Sequence, residues 1–272
     1  MNIWGDFMEF DLKPEAQIAI YDSGLGGISF LNEIVELLPN EDYLYFGDTA
    51  YAPYGTKDPE QVCERALSVV EALAAKDIKA LVVACNTATS AAINDLRQAF
   101  PDLPILGMEP AIKPALESSA DDVIVMATPL TAQSERLVNL IKKQKSEKPV
   151  NVLSCNGLME LVEYQAPEKR IIDYLEDRLA PYIDPEIRQA IVLGCTHYVF
   201  LMPLLNRLYP KIELYHGNRG TALHLCNILE EKDLLSLGKL GEPTLEIMAS
   251  EDSDEFAKSC LAFLGNNNPY LY

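Results

Sequence analysis

No C-x-x-C pair occurs in the 272 residues, no stretch approaches eighteen uninterrupted apolar residues, and cations are scarce. Each shortage excludes something. The six cysteines, at 63, 85, 155, 195, 226 and 260, are spaced too widely for a zinc ribbon or a thioredoxin-like motif, so no metal site is read from them. In a reducing compartment they are expected as free thiols, and any one of them alone reads as a small buried hydrophobe. The lack of a long apolar run argues against a membrane span. The opening "MNIWGDFMEFDLKPEAQ" carries three acids before its first lysine and reads as neither a signal peptide nor a transit peptide, which leaves the cytoplasm as the simplest location. With 22 Lys plus Arg against 41 Asp plus Glu, the formal charge is −19, so nucleic acid and anionic membranes are expected to be repelled.

Nucleotide loops are missing too. "YDSGLGG" at 21–27 has Ser29 where G-x-G-x-x-G needs its third glycine, and "YGTKD" at 54–58 is no Walker A sequence. No cofactor is implied, and Gly24, Gly26 and Gly27 read as a tight strand-to-helix turn with close packing. No low-complexity segment or long linker interrupts the chain.

What is present is a repeating alternation. Apolar runs at 17–24, 42–49, 79–87, 104–110, 122–129, 151–156, 190–197 and 211–218 are bounded by Gly, Pro, Asp or Thr and separated by amphipathic stretches. That pattern predicts an α/β fold of βα units with mainly parallel sheets flanked by helices. "LVVACNTATS" at 81–90 and "IVLGCTHYVF" at 191–200 are near-repeats 110 positions apart, each a strand ending in cysteine, which predicts two pseudosymmetric domains. The boundaries follow the prolines. Residues 1–16 form an N-terminal extension, 17–100 together with 213–272 a first domain, and 101–212 a second.

After Cys85 the residues Ile93, Leu96 and Phe100, and after Cys195 the residues Phe200, Leu201, Leu204, Leu205 and Leu208, carry helical spacing. Both cysteines are therefore expected at strand-to-helix turns, with Asn86, Thr87 and Thr196 as caps. In doubly wound sheets ligands collect beyond the carboxyl ends of strands, where this reading puts Asp22, Ser23, Cys85, Asn86, Cys195 and His197. A thiol at a helix N-terminus is expected to have a lowered pKa. A pair of such thiols can invert a carbon centre, one removing a proton from one face while the other returns a proton to the opposite face. Asp22 could orient or deprotonate the first thiol and His197 the second. The loop "APYGTKDPE" at 52–60 offers backbone amides and the Tyr54 hydroxyl to a carboxylate. The acid-rich "LEEKDLL" and "ASEDSDEF" read as solvated surface, and Cys63, Cys226 and Cys260 as packing residues in helices.

Taken together, "YDSGLGG", "YFGDTAYAPYGTKDPE", "VVACNTAT", "GMEPAIKPA", "LVE" at 161–163 and "LGCTHY" resemble the glutamate racemases of the aspartate/glutamate racemase superfamily, over about residues 17–264. The resemblance implies a cofactor-independent two-base racemase acting on glutamate at the interface of two pseudosymmetric α/β domains and supplying D-glutamate for peptidoglycan. It implies that Cys85 works on the D-enantiomer with support from Asp22, and Cys195 on the L-enantiomer with support from His197 and Glu163. By the same match Ser23, Tyr54, Gly55, Asn86, Thr87, Thr131, Thr196, Asp22 and His197 contact substrate, and a homodimer is the implied assembly. Departures from the family pattern at Leu137, Asn156, Glu160, Val199 and "LYHGNRG" all fall in the later part of the chain. Two other readings stay open at this point: a racemase of aspartate or another amino acid, and a racemase-derived binding or regulatory protein with little turnover.

Overall fold

The computed structural model describes residues 12–236, 243–251 and 253–265. Of the expected N-terminal extension, residues 1–11 lie outside the described residues. Two parallel sheets organise the chain. The first has the order β4-β3-β1-β2-β9, from β1 (Gln17–Asp22), β2 (Tyr43–Gly47), β3 (Ile78–Val83), β4 (Ile105–Gly107) and β9 (Leu245–Ala249). The second has the order β6-β5-β7-β8, from β5 (Asp122–Ala127), β6 (Val150–Ser154), β7 (Gln189–Gly194) and β8 (Glu213–His216). Every strand pairing among the described residues is parallel.

The central strands explain why. All six residues of β3, "IKALVV", and of β7, "QAIVLG", are buried, as a strand covered by helices on both faces requires. Helices form where capping and spacing favour them. Asp58 caps the helix Pro59–Ala74 by accepting from the Glu60 amide at 2.8 Å, and Pro59 occupies its first turn, where no amide is missed.

The eight expected strand regions correspond to β1 through β8. Two differences stand out. Pro101 and Pro104 do end a helix, but the strand that follows them, β4, still pairs with β3, and β8 pairs with β7. The chain therefore changes sheets after residue 107 and again after residue 216, later than the boundaries expected at 101 and 213. The second difference is β9, which pairs with β2 and is followed by the helix Ser253–Leu261. Phe256, inside the stretch read as solvated, is buried and stacks on Tyr45 with ring centroids 6.1 Å apart.

One apolar core continues from the first half into the second, with Leu25, Ile28 and Phe30 in the same cluster as Tyr198, Leu201 and Leu205. The carboxyl ends of β1, β3, β5 and β7 face this junction. No helix among the described residues is long and apolar enough to cross a membrane.

Candidate active site

Cys85 stands one residue beyond the Ala84 that follows β3, with extended backbone (φ −61°, ψ 115°), and caps the helix Asn86–Ala99. Its sulfur accepts from the Ala88 amide at 3.4 Å and lies 3.4 Å from Ser23 Oγ, which follows β1. Those two hydrogen bonds favour thiolate, as expected at a helix N-terminus. Burial overrides them. With 5 % of its surface exposed, Cys85 is pushed up to about 12 by desolvation and by the Asp22 charge, with a smaller push from charge on Cys195. The expected lowering of this thiol's pKa is therefore reversed.

Cys195 follows β7 directly but does not cap an α-helix. The chain runs through a 3-10 turn, Thr196–Leu201, before the helix Met202–Leu208 begins with Pro203 in its first turn. In place of a helix terminus, the sulfur has a histidine: His197 Nδ1 lies 3.8 Å from Cys195 Sγ. On the other side of the ring, His197 Nε2 is bonded to Glu163 Oε2, at the end of the helix Leu158–Glu163. Burial opposes an imidazolium here. The hydrogen bonds to Cys195 and Glu163, with their charges, outweigh it and raise His197 well above its ordinary value. The protonated ring turns a donor and a positive charge toward the sulfur.

Asp22, fully buried at the end of β1, accepts from the Gly24 amide at 3.0 Å and from Thr196 Oγ1 at 3.1 Å. Desolvation raises it to about 6 against the pull of His197. Glu163 accepts from the Leu25 amide through both oxygens, at 3.3 and 3.2 Å. The glycine turn makes this crossing feasible, since a Cβ at Gly26 would collide with His197 Nδ1 and Thr196 Oγ1. Ser29, which stands where a dinucleotide loop would carry glycine, donates to the Thr196 carbonyl at 3.1 Å and receives from Asn218 Nδ2 at 3.1 Å.

A second junction is built of hydroxyls. Thr87 Oγ1 lies 2.9 Å from Thr128 Oγ1, and Thr128 and Thr131 are 3.0 Å apart, so one hydroxyl from the first half meets two from the second. Asn86 Nδ2 donates to the Met108 carbonyl at 3.1 Å, fixing the chain where it leaves the first sheet. The Tyr54 hydroxyl is already engaged: it donates to Asp48 Oδ2 and lies 2.7 Å from Tyr21 Oη. What the 52–57 loop presents instead is the backbone of Gly55, packed so closely on Thr128 that an added Cβ would come within 2.8 Å of that side chain's Cβ.

The structure thus gathers Ser23 at Cys85, His197 and through it Glu163 at Cys195, and Asp22 on Thr196, while Thr87 and Thr131 meet at Thr128, Gly55 packs on Thr128, Asn86 is bonded to the Met108 carbonyl and the Tyr54 hydroxyl to Asp48; the two cysteines are nearly covered, at 5 % and 6 % exposure. Sequence reasoning missed Thr128, Ser29 and Asp48. For Thr128 a signal existed, because Thr-Pro after an apolar run marks a helix N-cap, and Thr128 does accept from the Thr131 amide.

Residues 24–222 match the family described as Asp/Glu/Hydantoin racemase. A glutamate racemase of Halothermothrix orenii is 45 % identical over 242 residues, 88 % of this chain and 94 % of that one. Among solved structures, the glutamate racemase of Francisella tularensis in complex with D-glutamate superposes with a TM-score of 0.80 at 25 % identity, covering 92 % of this chain and 94 % of that one. The Escherichia coli glutamate racemase, in complex with L-glutamate and the activator UDP-MurNAc-ala, gives a TM-score of 0.79 at 28 % identity over 93 % and 96 % of the two chains. With a match of this extent laid over two cysteines at equivalent strand ends, the chain belongs to the Asp/Glu/hydantoin racemase family.

Proposed function

We propose that this protein interconverts L- and D-glutamate by a two-base mechanism that uses its own side chains. The observation that supports the reading is that Cys85 and Cys195, each just beyond the end of a central strand of its own sheet, are both nearly covered and each has its own polar partners, Ser23 and the Ala88 amide for one and His197 for the other. A thiolate on one face of Cα takes the α-proton, and the thiol opposite delivers its proton to the other face, so the carbon inverts and the two sulfurs exchange protonation states. Cys195, beside the His197 imidazolium, removes the proton of L-glutamate while Cys85 is the acid. For D-glutamate the roles reverse.

Glu163 holds His197 charged and oriented. Asp22 and Thr196 face the substrate ammonium and carboxylate, and Ser23, Asn86, Thr87 and Thr131 with the Tyr54–Gly55 turn hold the carboxylates. Because both sulfurs are nearly covered, the halves part to admit substrate and close to exclude water. We place the enzyme in the cytoplasm, as a homodimer supplying D-glutamate for peptidoglycan.

The test is incubation of the purified protein with each glutamate enantiomer in D₂O, without added cofactor, following the Cα proton and the enantiomer ratio. Exchange with inversion from both sides supports the reading. No exchange from either, with turnover of aspartate instead, transfers the same machinery to a different amino acid.

A further inference from the structure

Behind the Tyr54–Gly55 turn lies a buried polar chain that no substrate contact accounts for. Asp48 follows β2 by one residue, is fully buried, and has its amide tied to the Asp22 carbonyl at 2.9 Å. Its carboxylate receives Arg65 in a two-point grip, Nε to Oδ2 at 2.8 Å and Nη2 to Oδ1 at 2.6 Å. Arg65 comes from the helix Pro59–Ala74, and its guanidinium lies over the Tyr51 ring, 3.7 Å from the centroid. On the other side Asp48 Oδ2 accepts from the Tyr54 hydroxyl. With that proton committed, the 2.7 Å contact between the phenols is a donation from Tyr21 to Tyr54.

A carboxylate without solvent is costly unless it is paired and fully bonded. Here the pairing cation is on a rigid helix, and the planar guanidinium fixes the carboxylate's orientation in a way a lysine cannot. Asp48 in turn fixes the phenol, and the phenol fixes the short turn Tyr54–Thr56. Gly55 sits in that turn against Thr128 of the other half.

We propose that Arg65 is a positioning residue for substrate binding: through Asp48 and Tyr54 it holds the Gly55 turn in the geometry that receives a glutamate carboxylate. The inference rests on the two-base glutamate reading and adds to it a residue remote from the reacting carbon. Its action is on binding and not on proton transfer, because its side-chain bonds run from Arg65 to Asp48, Tyr54 and Tyr21 and include neither cysteine.

Steady-state racemisation of both enantiomers by wild type, Arg65→Met, Arg65→Lys and Tyr54→Phe, each checked for folding by thermal melting, decides it. The expected result is a KM raised about tenfold or more by Arg65→Met for both enantiomers, with kcat within about threefold, as loss of a charged hydrogen-bonded support predicts. Arg65→Lys recovers part of the affinity, and Tyr54→Phe, which keeps the ring and removes only the hydroxyl, raises KM in the same sense. A merely structural role would lower the melting temperature and the active fraction while leaving KM alone. Unchanged KM in folded Arg65→Met and Tyr54→Phe, beside an active wild type, overturns the positioning role. If Arg65→Met does not fold, Arg65→Lys takes its place beside Tyr54→Phe, and unchanged KM in both overturns the positioning role. A wild type that racemises no glutamate overturns the glutamate reading and this inference with it.

Discussion

Thr196 Oγ1 donates to Asp22 Oδ2 across 3.1 Å, so a hydroxyl that follows one sheet is bonded to a carboxylate that ends the other. Family resemblance pairs Asp22 with Cys85, but the hydrogen-bond partners of that sulfur are the Ser23 hydroxyl and the Ala88 amide. Asp22 acts on Cys85 through charge, and its bonds are spent on Gly24 and on holding the two halves in register.

Removing either thiol separates the two proton transfers. Cys195→Ala is expected to lower inversion by about a thousandfold or more, the scale of a lost acid–base group. It still exchanges the Cα proton of D-glutamate through Cys85, and Cys85→Ala does the converse with L-glutamate. Proton NMR in D₂O reads both, and exchange of L-glutamate by Cys195→Ala with exchange of D-glutamate by Cys85→Ala would reassign the sulfurs.

Asp22 sets a pH dependence of stability. In the fold its carboxyl titrates at about 6, against an ordinary value of 3.8, so between those values the folded chain keeps a proton that the unfolded chain has released. Stability from this group therefore falls as pH rises from about 4 to about 6. Asp22→Asn is expected to flatten that slope and stabilise the protein at pH 7 by up to about 3 kcal/mol while depressing turnover. Urea unfolding at pH 4 and pH 7 checks it, and an Asn variant weaker than wild type at pH 7 would contradict it.

Glu163→Gln removes the partner that keeps His197 charged. The imidazole pKa drops toward its ordinary value, readable as the His197 ring titration by NMR, and kcat falls about a hundredfold. If the titration does not move, Glu163 only braces the Leu25 amide.

Thr128→Val keeps the side chain's shape and deletes the hydroxyl between Thr87 and Thr131. Two buried hydroxyls lose a partner, at about 1 kcal/mol each, so KM for glutamate rises roughly five- to tenfold while Thr128→Ser stays near wild type. A valine variant with wild-type KM would show that the three hydroxyls serve packing alone.

The strands that carry the chemistry were legible because they are buried on both faces. "KALVVACNT" and "AIVLGCTH" are nearly unbroken apolar runs, and the polar residues ending them stand out. β9 was not legible: "LEIMA" is a half-exposed edge strand beside an acid-rich segment, and its place is set by pairing with β2 about two hundred residues earlier. The helix expected directly after Cys195 had the right spacing, but local turn geometry made it a 3-10 turn first, and this brings His197 round to the sulfur. The Cys85 pKa was misjudged for a related reason. Sequence shows the helix terminus that lowers it, while the depth of burial that raises it belongs to the tertiary fold.

The chain's two passages between sheets also bear on its synthesis. Strands β5 to β8 are contiguous, so the second sheet is complete once residue 216 has left the ribosome. The first sheet begins earlier and finishes later, with one edge of β2 unpaired until residues 245–249 arrive. Cys85 is thus translated long before its sheet is closed, whereas Cys195 emerges into a sheet about to be finished. A nascent chain that has emerged from the ribosome only as far as about residue 230 would carry both thiols outside, with only the later one in a completed sheet.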